Sequence, residues 1–107
     1  MDRTARLQEF LQASPNDSFL QHALALEYIK TGDDERGRQM FETILSRDPG
    51  YIGSYYHLAK LLERTGEKKA AIAWYEKGMA AAKAAGDNHA HGELKAAHED
   101  LVDSLIG

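Results

Sequence analysis

The sequence predicts an all-α chain of stacked helical hairpins, and three observations lead there. First, the only two prolines, Pro15 and Pro49, stand 34 residues apart, and the same shift aligns much more than the prolines. Thr31-Gly32 falls on Thr65-Gly66, Leu24-Ala25 on Leu58-Ala59, Phe41 on Tyr75 and Tyr28 on Leu62. His22 falls on Tyr56, a less similar pair. Matching turn residues and apolar residues at one fixed period mark a repeat architecture. Second, apolar residues within each period recur at helical spacing. Third, each period carries its own helix-stop signals at fixed places.

The elements follow in order. Residues 3–15 carry Leu7, Phe10 and Leu11 and close at Ser14-Pro15. Shifted by one period they lie on Phe41, Ile44, Leu45 and Pro49, so they resemble the second half of a repeat. In 18–31, Leu20, Leu24 and Tyr28 recur every four residues with Ala23 beside them. Gly32 suits the left-handed conformation that ends a helix, and Asp33 can cap the next. In 34–47, Met40, Phe41, Ile44 and Leu45 form an amphipathic stripe. Pro49 closes it, because proline cannot continue a helix and restricts the residue before it. The second period repeats the pair: a helix near 52–64, a Thr65-Gly66-Glu67 turn, and a helix from about 68 to 85. Lys83 stands in the proline slot, so this last helix is expected to run on. A final helix over 89–106 carries Ala90, Leu94, Ala97, Leu101 and Leu105 on one stripe, with Asp87 or Asn88 as its cap. It slips out of the 34-residue register, as a terminal capping helix does. Ala25, Ala59, Gly37 and Ala71 sit where paired helices approach closely. Gly37 costs roughly 1 kcal/mol of helix propensity against alanine, accepted for that approach.

These residues resemble the tetratricopeptide-repeat (TPR) family. Its signature runs through Gln21, Leu24, Ala25, Tyr28, Gly37, Phe41 and Pro49 in the first period. In the second it runs through Tyr55, Leu58, Ala59, Leu62, Ala71 and Tyr75. Gln21, in place of a large aromatic, is the weak spot of the first period. The resemblance covers residues 18–85 and implies an all-α, α-α superhelix, a TPR solenoid of about six antiparallel helices. The expected organisation is one domain over 1–107: a half-repeat helix in 1–17, repeats in 18–51 and 52–85, and a capping helix in 86–107. The whole pattern is similar to small stand-alone bacterial TPR proteins.

Composition narrows the function. The chain has 107 residues, 13 Lys+Arg against 17 Asp+Glu, a net charge of −4 and no cysteine. Without cysteine there are no disulfides, thiolate zinc sites, iron–sulfur clusters or cysteine nucleophiles. The mild acidity argues against a nucleic-acid binder that neutralises phosphates. The N-terminus is charged and amphipathic, with no apolar stretch of signal-peptide length, and no run approaches the roughly 18 residues of a spanning helix. A soluble, cytoplasmic protein with no membrane partner is expected.

The chemistry of catalysis is missing as well. His98-Glu99 is followed by Val102 where the zinc-protease pattern needs a second histidine. His91-Gly92-Glu93 resembles half a deaminase signature, without the cysteines that complete it. There is no glycine-rich phosphate loop and no G-x-S-x-G elbow. No catalytic residue, no metal site and no cofactor is expected.

The TPR resemblance implies instead a protein–protein interaction scaffold that holds a partner's peptide or helix in its concave groove. The first-helix positions that the core stripe leaves free are Phe19, His22, Leu26, Ile29 and Lys30 in the first repeat. In the second they are Gly53, Tyr56, Lys60, Glu63 and Arg64. The groove would be apolar at one end and charged at the other. Burial beneath a flanking helix accounts equally for Phe19, Leu26 and Ile29, and a solvated face for Tyr56, Lys60 and Arg64. The clamp that some TPR domains close on a chaperone's C-terminal carboxylate needs lysines and asparagines, because such donors make charge-assisted bonds. The matching positions here are His22, Leu26 and His57, then Asp87 and His91, so no such clamp is expected. The alternative reading is a self-associating, homodimeric subunit, because two repeats are few and Val102 and Ile106 stand on the last helix.

Overall fold

The structure is a computed structural model and describes residues 2–107. Among the described residues there are six helices and no strand: α1 (Arg3–Ala13), α2 (Ser18–Lys30), α3 (Asp34–Arg47), α4 (Gly53–Arg64), α5 (Lys68–Ala85) and α6 (Asn88–Ile106). They fall into two compact units, Met1–Asp48 with α1–α3 and Pro49–Gly107 with α4–α6.

In the first unit, each helix starts on an aspartate. The Asp2, Asp17 and Asp33 carboxylates accept from the backbone N–H groups of Ala5, Leu20 and Arg36, three residues on. Each satisfies a donor that the first helical turn leaves without an intrahelical partner. The α2–α3 turn depends on Gly32 at φ +89°, a conformation that costs other residues a steric clash. Thr31 Oγ1 donates to the Glu27 carbonyl (3.0 Å) and the Asp33 N–H to the Tyr28 carbonyl (2.7 Å), closing the end of α2.

Leu24 and Ala25 on α2, and Phe41, Ile44 and Leu45 on α3, are all buried, and the two helices pack on each other. Gly37 is glycine for the expected reason. A Cβ there would stand 2.7 Å from Ile29 Cγ1 and 3.2 Å from the Ala25 carbonyl oxygen. Helix α1 packs on α2 more lightly. It buries only Leu7 and adds two polar ties, Arg3 to Glu27 (2.9 Å) and Gln8 Nε2 donating to Tyr28 Oη (3.2 Å).

The second unit repeats the hairpin and extends it. Gly66, at φ +88°, turns α4 into α5, and Thr65 Oγ1 donates to the Leu61 carbonyl as Thr31 does to that of Glu27. Helix α4 is the most deeply set element, burying Ser54, Tyr55, Leu58, Ala59, Leu61 and Leu62. Helix α5 has 18 residues against 14 for α3, because Lys83 lets it pass the point where Pro49 stops its counterpart. It ends at Gly86, and Asp87 caps α6 through the Ala90 N–H (3.0 Å). Leu94, Ala97 and Leu101 bury the face of α6 that meets α5. Close approach here rests on Gly78, where a Cβ would be 2.7 Å from Tyr55 Cβ and 3.1 Å from Leu94 Cδ1.

Two pairs of interactions recur one period apart. Tyr55 Oη donates to the Pro49 carbonyl (2.5 Å), and Gln21 Nε2 donates to the Pro15 carbonyl (2.9 Å). Gln21 thus makes the hydrogen bond of the aromatic it replaces. Its Oε1 also accepts from Arg47 (2.8 Å), so a buried amide is satisfied at both ends. His22 meets Phe41 edge-on, with centroids 5.5 Å apart and planes at 62°, and Tyr56 meets Tyr75 at 6.4 Å and 65°. The less similar pair of the sequence is an equivalent pair in three dimensions.

Candidate functional site

In the first unit the free face of α2 forms an open depression of about 450 Å³. Phe19, Ala23 and Leu26 supply its apolar surface, and His22, Glu27, Lys30 and Arg3 of α1 surround them. The Phe19 side chain is 70% exposed, a large apolar group that the flanking α1 leaves uncovered. Leu26 is half-buried, and His22 is held by its edge contact to Phe41. Arg3 neutralises Glu27, so exposed Lys30 leaves the depression with a positive margin. Ile29 lies elsewhere, with its Cγ1 against Gly37 of α3.

In the second unit the corresponding face of α4 carries Tyr56, Lys60, Glu63 and Arg64. Tyr56 is fixed by the edges of Tyr75 and His57, and Lys60 Nζ stands 5.7 Å over its ring. Lys60 also lies 3.6 Å from Glu63 Oε2. Glu63 accepts the hydroxyl hydrogen bond of the fully buried Tyr75. Burial, then the Glu63 hydrogen bond and charge, hold the Tyr75 hydroxyl far above its ordinary pKa, so it remains a donor. Glu63 therefore ties α4 to α5, and Lys60 and Arg64 remain at the exposed end of that face.

A smaller cavity of about 260 Å³ opens between the N-terminal turns of α4 and α6. Ile52, Tyr56 and His57 line one side, and Asp87, Ala90, Glu93 and Leu94 the other. Desolvation holds the His57 pKa below its ordinary 6.5. Of the cavity's lining residues, Gly53 and Tyr56 stand among the groove positions expected from the sequence, whereas His57 and Asp87 enter that reading only as positions where no carboxylate clamp is expected. Glu93 and Leu94 are not among the expected groove positions, because α6 leaves the 34-residue register and its facing positions cannot be projected from the repeats.

Of the remaining histidines, His89 Nε2 lies 2.6 Å from Glu93 Oε1 and His98 Nε2 lies 3.3 Å from Glu76 Oε2. Among the described residues no three His, Cys, Asp or Glu side chains converge as a metal site requires. No helix among them is long and apolar enough to cross a membrane.

The sequence profile of the family described as Tetratricopeptide repeat matches residues 20–51 and 52–84, more than half the chain. The chain belongs to the tetratricopeptide-repeat family. It is 27% identical over 88 residues to a TPR repeat-containing protein of Pseudomonas aeruginosa, covering 82% of this chain and 84% of that one. A tetratricopeptide repeat domain protein from Salinibacter ruber, with a solution NMR structure, is similar at 37% identity and a TM-score of 0.79, over 81% of this chain and 88% of that one. A Bordetella parapertussis protein reaches a TM-score of 0.83 at 25% identity, over 97% and 90% of the two chains. TPR repeats generally mediate protein–protein interaction, so the open faces of α2 and α4 are the surfaces to weigh for function.

Proposed function

We propose that this TPR chain is a non-enzymatic docking module that binds a peptide or helix of a partner protein. The observation that carries this reading is Phe19, 70% exposed beside half-buried Leu26 on a first-helix face. Covering one such side chain contributes about 1.5–3 kcal/mol, one part of the affinity for a short peptide. The partner presents an apolar side chain to Phe19, Ala23 and Leu26, with an acidic neighbour toward Lys30. In the second unit the counterpart face offers Tyr56, with Lys60 and Arg64 at its exposed end. His22 and Glu63 position these faces from within, through Phe41 and Tyr75. Ile29 acts through α3 rather than through the partner.

The test is selection from a displayed random-peptide library on the full chain, followed by calorimetry on the enriched peptides. Enrichment of an apolar residue with Asp or Glu neighbours is expected. A Phe19→Ser/Leu26→Glu variant with unchanged helicity should lose about tenfold or more in affinity, 1.4 kcal/mol per factor of ten. Enriched peptides that bind this variant as tightly as the wild type overturn the assignment.

A further inference from the structure

The cavity between α4 and α6 has a different chemistry from the depression on α2. Ile52, Ala90 and Leu94 make its apolar surface, Tyr56 an aromatic wall, and Asp87 and Glu93 supply carboxylates. No lysine or arginine lines it. At about 260 Å³ it falls below the roughly 300–1,000 Å³ of sites for whole small molecules, and suits a single long side chain.

We propose that this cavity receives a lysine or arginine side chain of the partner peptide. Its aliphatic stem lies on Ile52, Ala90 and Leu94, and its charge is held by Asp87 and Glu93. Long cationic side chains have this double character, an apolar stem and a charged tip. The inference rests on the reading of the chain as a peptide-docking module and names one feature of the peptide.

Both carboxylates retain acceptor capacity. Asp87 uses Oδ1 for the Ala90 N–H, leaving Oδ2. Glu93 uses Oε1 toward His89 and is more than half exposed, so Oε2 is open to a cation. Of the basic side chains nearby, Lys60 Nζ lies 3.6 Å from Glu63 Oε2 and His89 Nε2 lies 2.6 Å from Glu93 Oε1. Desolvation lowers the His57 pKa below its ordinary 6.5, which reduces the positive charge it brings to the cavity at neutral pH. The Tyr56 ring accepts an ammonium nearby, as its contact to Lys60 shows, and aromatic faces attract cations. An anionic side chain or a terminal carboxylate would instead meet two like charges.

The test is amide NMR of the full chain titrated with n-butylguanidinium and, separately, with n-butyrate. The two probes share a stem and differ in the sign of the head. Saturable shifts at Gly53, His57, Ala90 and Leu94 are expected with n-butylguanidinium, with a millimolar dissociation constant, and not with n-butyrate. A D87N/E93Q variant removes both charges, and asparagine keeps the α6 cap. It should weaken n-butylguanidinium about tenfold while its spectrum stays dispersed and helical. Equal shifts from the two probes, no saturable shift at these amides, or unchanged binding to D87N/E93Q would each overturn the proposal. Phe19 and Leu26 lie in the other unit, so failure here is distinguishable from failure of the peptide-binding reading.

Discussion

Gly37 and Gly78 both remove a side chain where two helices meet, yet substitution should have different consequences at each. At Gly78 a new Cβ would lie 2.7 Å from Tyr55 Cβ and 3.0 Å from Cγ. Tyr55 cannot give way easily, because its Cβ is fixed to the backbone and its hydroxyl is bound to the Pro49 carbonyl. Gly78→Ala should therefore destabilise the chain by about 1–3 kcal/mol of overpacking, reduced by the roughly 1 kcal/mol gained in helix propensity. A lowered urea midpoint with an unchanged m-value is the expected result. At Gly37 the near atom is Ile29 Cγ1, part of a half-buried side chain, and the equivalent position of the second repeat is already Ala71. Gly37→Ala should cost less than Gly78→Ala in the same experiment. His57 adds a pH term. Its folded pKa lies below 6.5, so the folded state takes up this proton less readily than the unfolded state. Its contribution is fully present above pH 6.5 and is lost as pH falls through the folded value. Thermal scans should show His57→Gln losing less stability than the wild type below pH 6.5.

Helix limits were legible because the signals that set them are local. The expected helices over 34–47 and 68–85 match α3 and α5 residue for residue, and the others differ by at most two residues at an end. Capping and turn geometry need only three or four neighbouring residues, which the sequence names directly. The choice between Asp87 and Asn88 as the cap of α6 was settled by a single contact, the Asp87 carboxylate on the Ala90 N–H. Asp87→Ala should lower stability by about 1 kcal/mol, and Asp87→Asn by much less, in chemical denaturation. The long α5 was also foreseeable, since Lys83 leaves its backbone N–H free to continue where Pro49 cannot. Gln21 as a weak spot was the reading that structure altered. An amide and a tyrosine hydroxyl share little in a pattern of apolar residues, but both reach the proline carbonyl six residues back.

Burial is distributed unevenly along the chain, and that sets where it opens. Helix α1 buries one residue, Leu7, whereas α4 buries six. In repeat proteins stability is close to a sum of local and nearest-neighbour terms, so a lightly buried terminal helix opens at low free energy. Native-state hydrogen exchange should show α1 amides exchanging first and α4 amides protected nearly to the global limit. Equal protection of α1 and α4 would contradict this. Exposed ion pairs such as Arg38 with Glu42 and Arg36 with Asp33 each have a small stabilising effect.

The period of 34, the helical stripes and the turn residues were enough to establish an all-α repeat chain and its family, because hydrophobic spacing and backbone conformation are written locally. Which first-helix residues face solvent was decided only by packing. Phe19 and Ile29 are both apolar residues of α2, and only the course of α1 and α3 leaves the first open and sets the second against Gly37. Glu63 likewise looked like a surface charge until the fold brought the Tyr75 hydroxyl to it. The cavity that joins Tyr56 to Glu93 depends on where α6 lies, and a helix outside the repeat register has its facing residues chosen by tertiary contact alone.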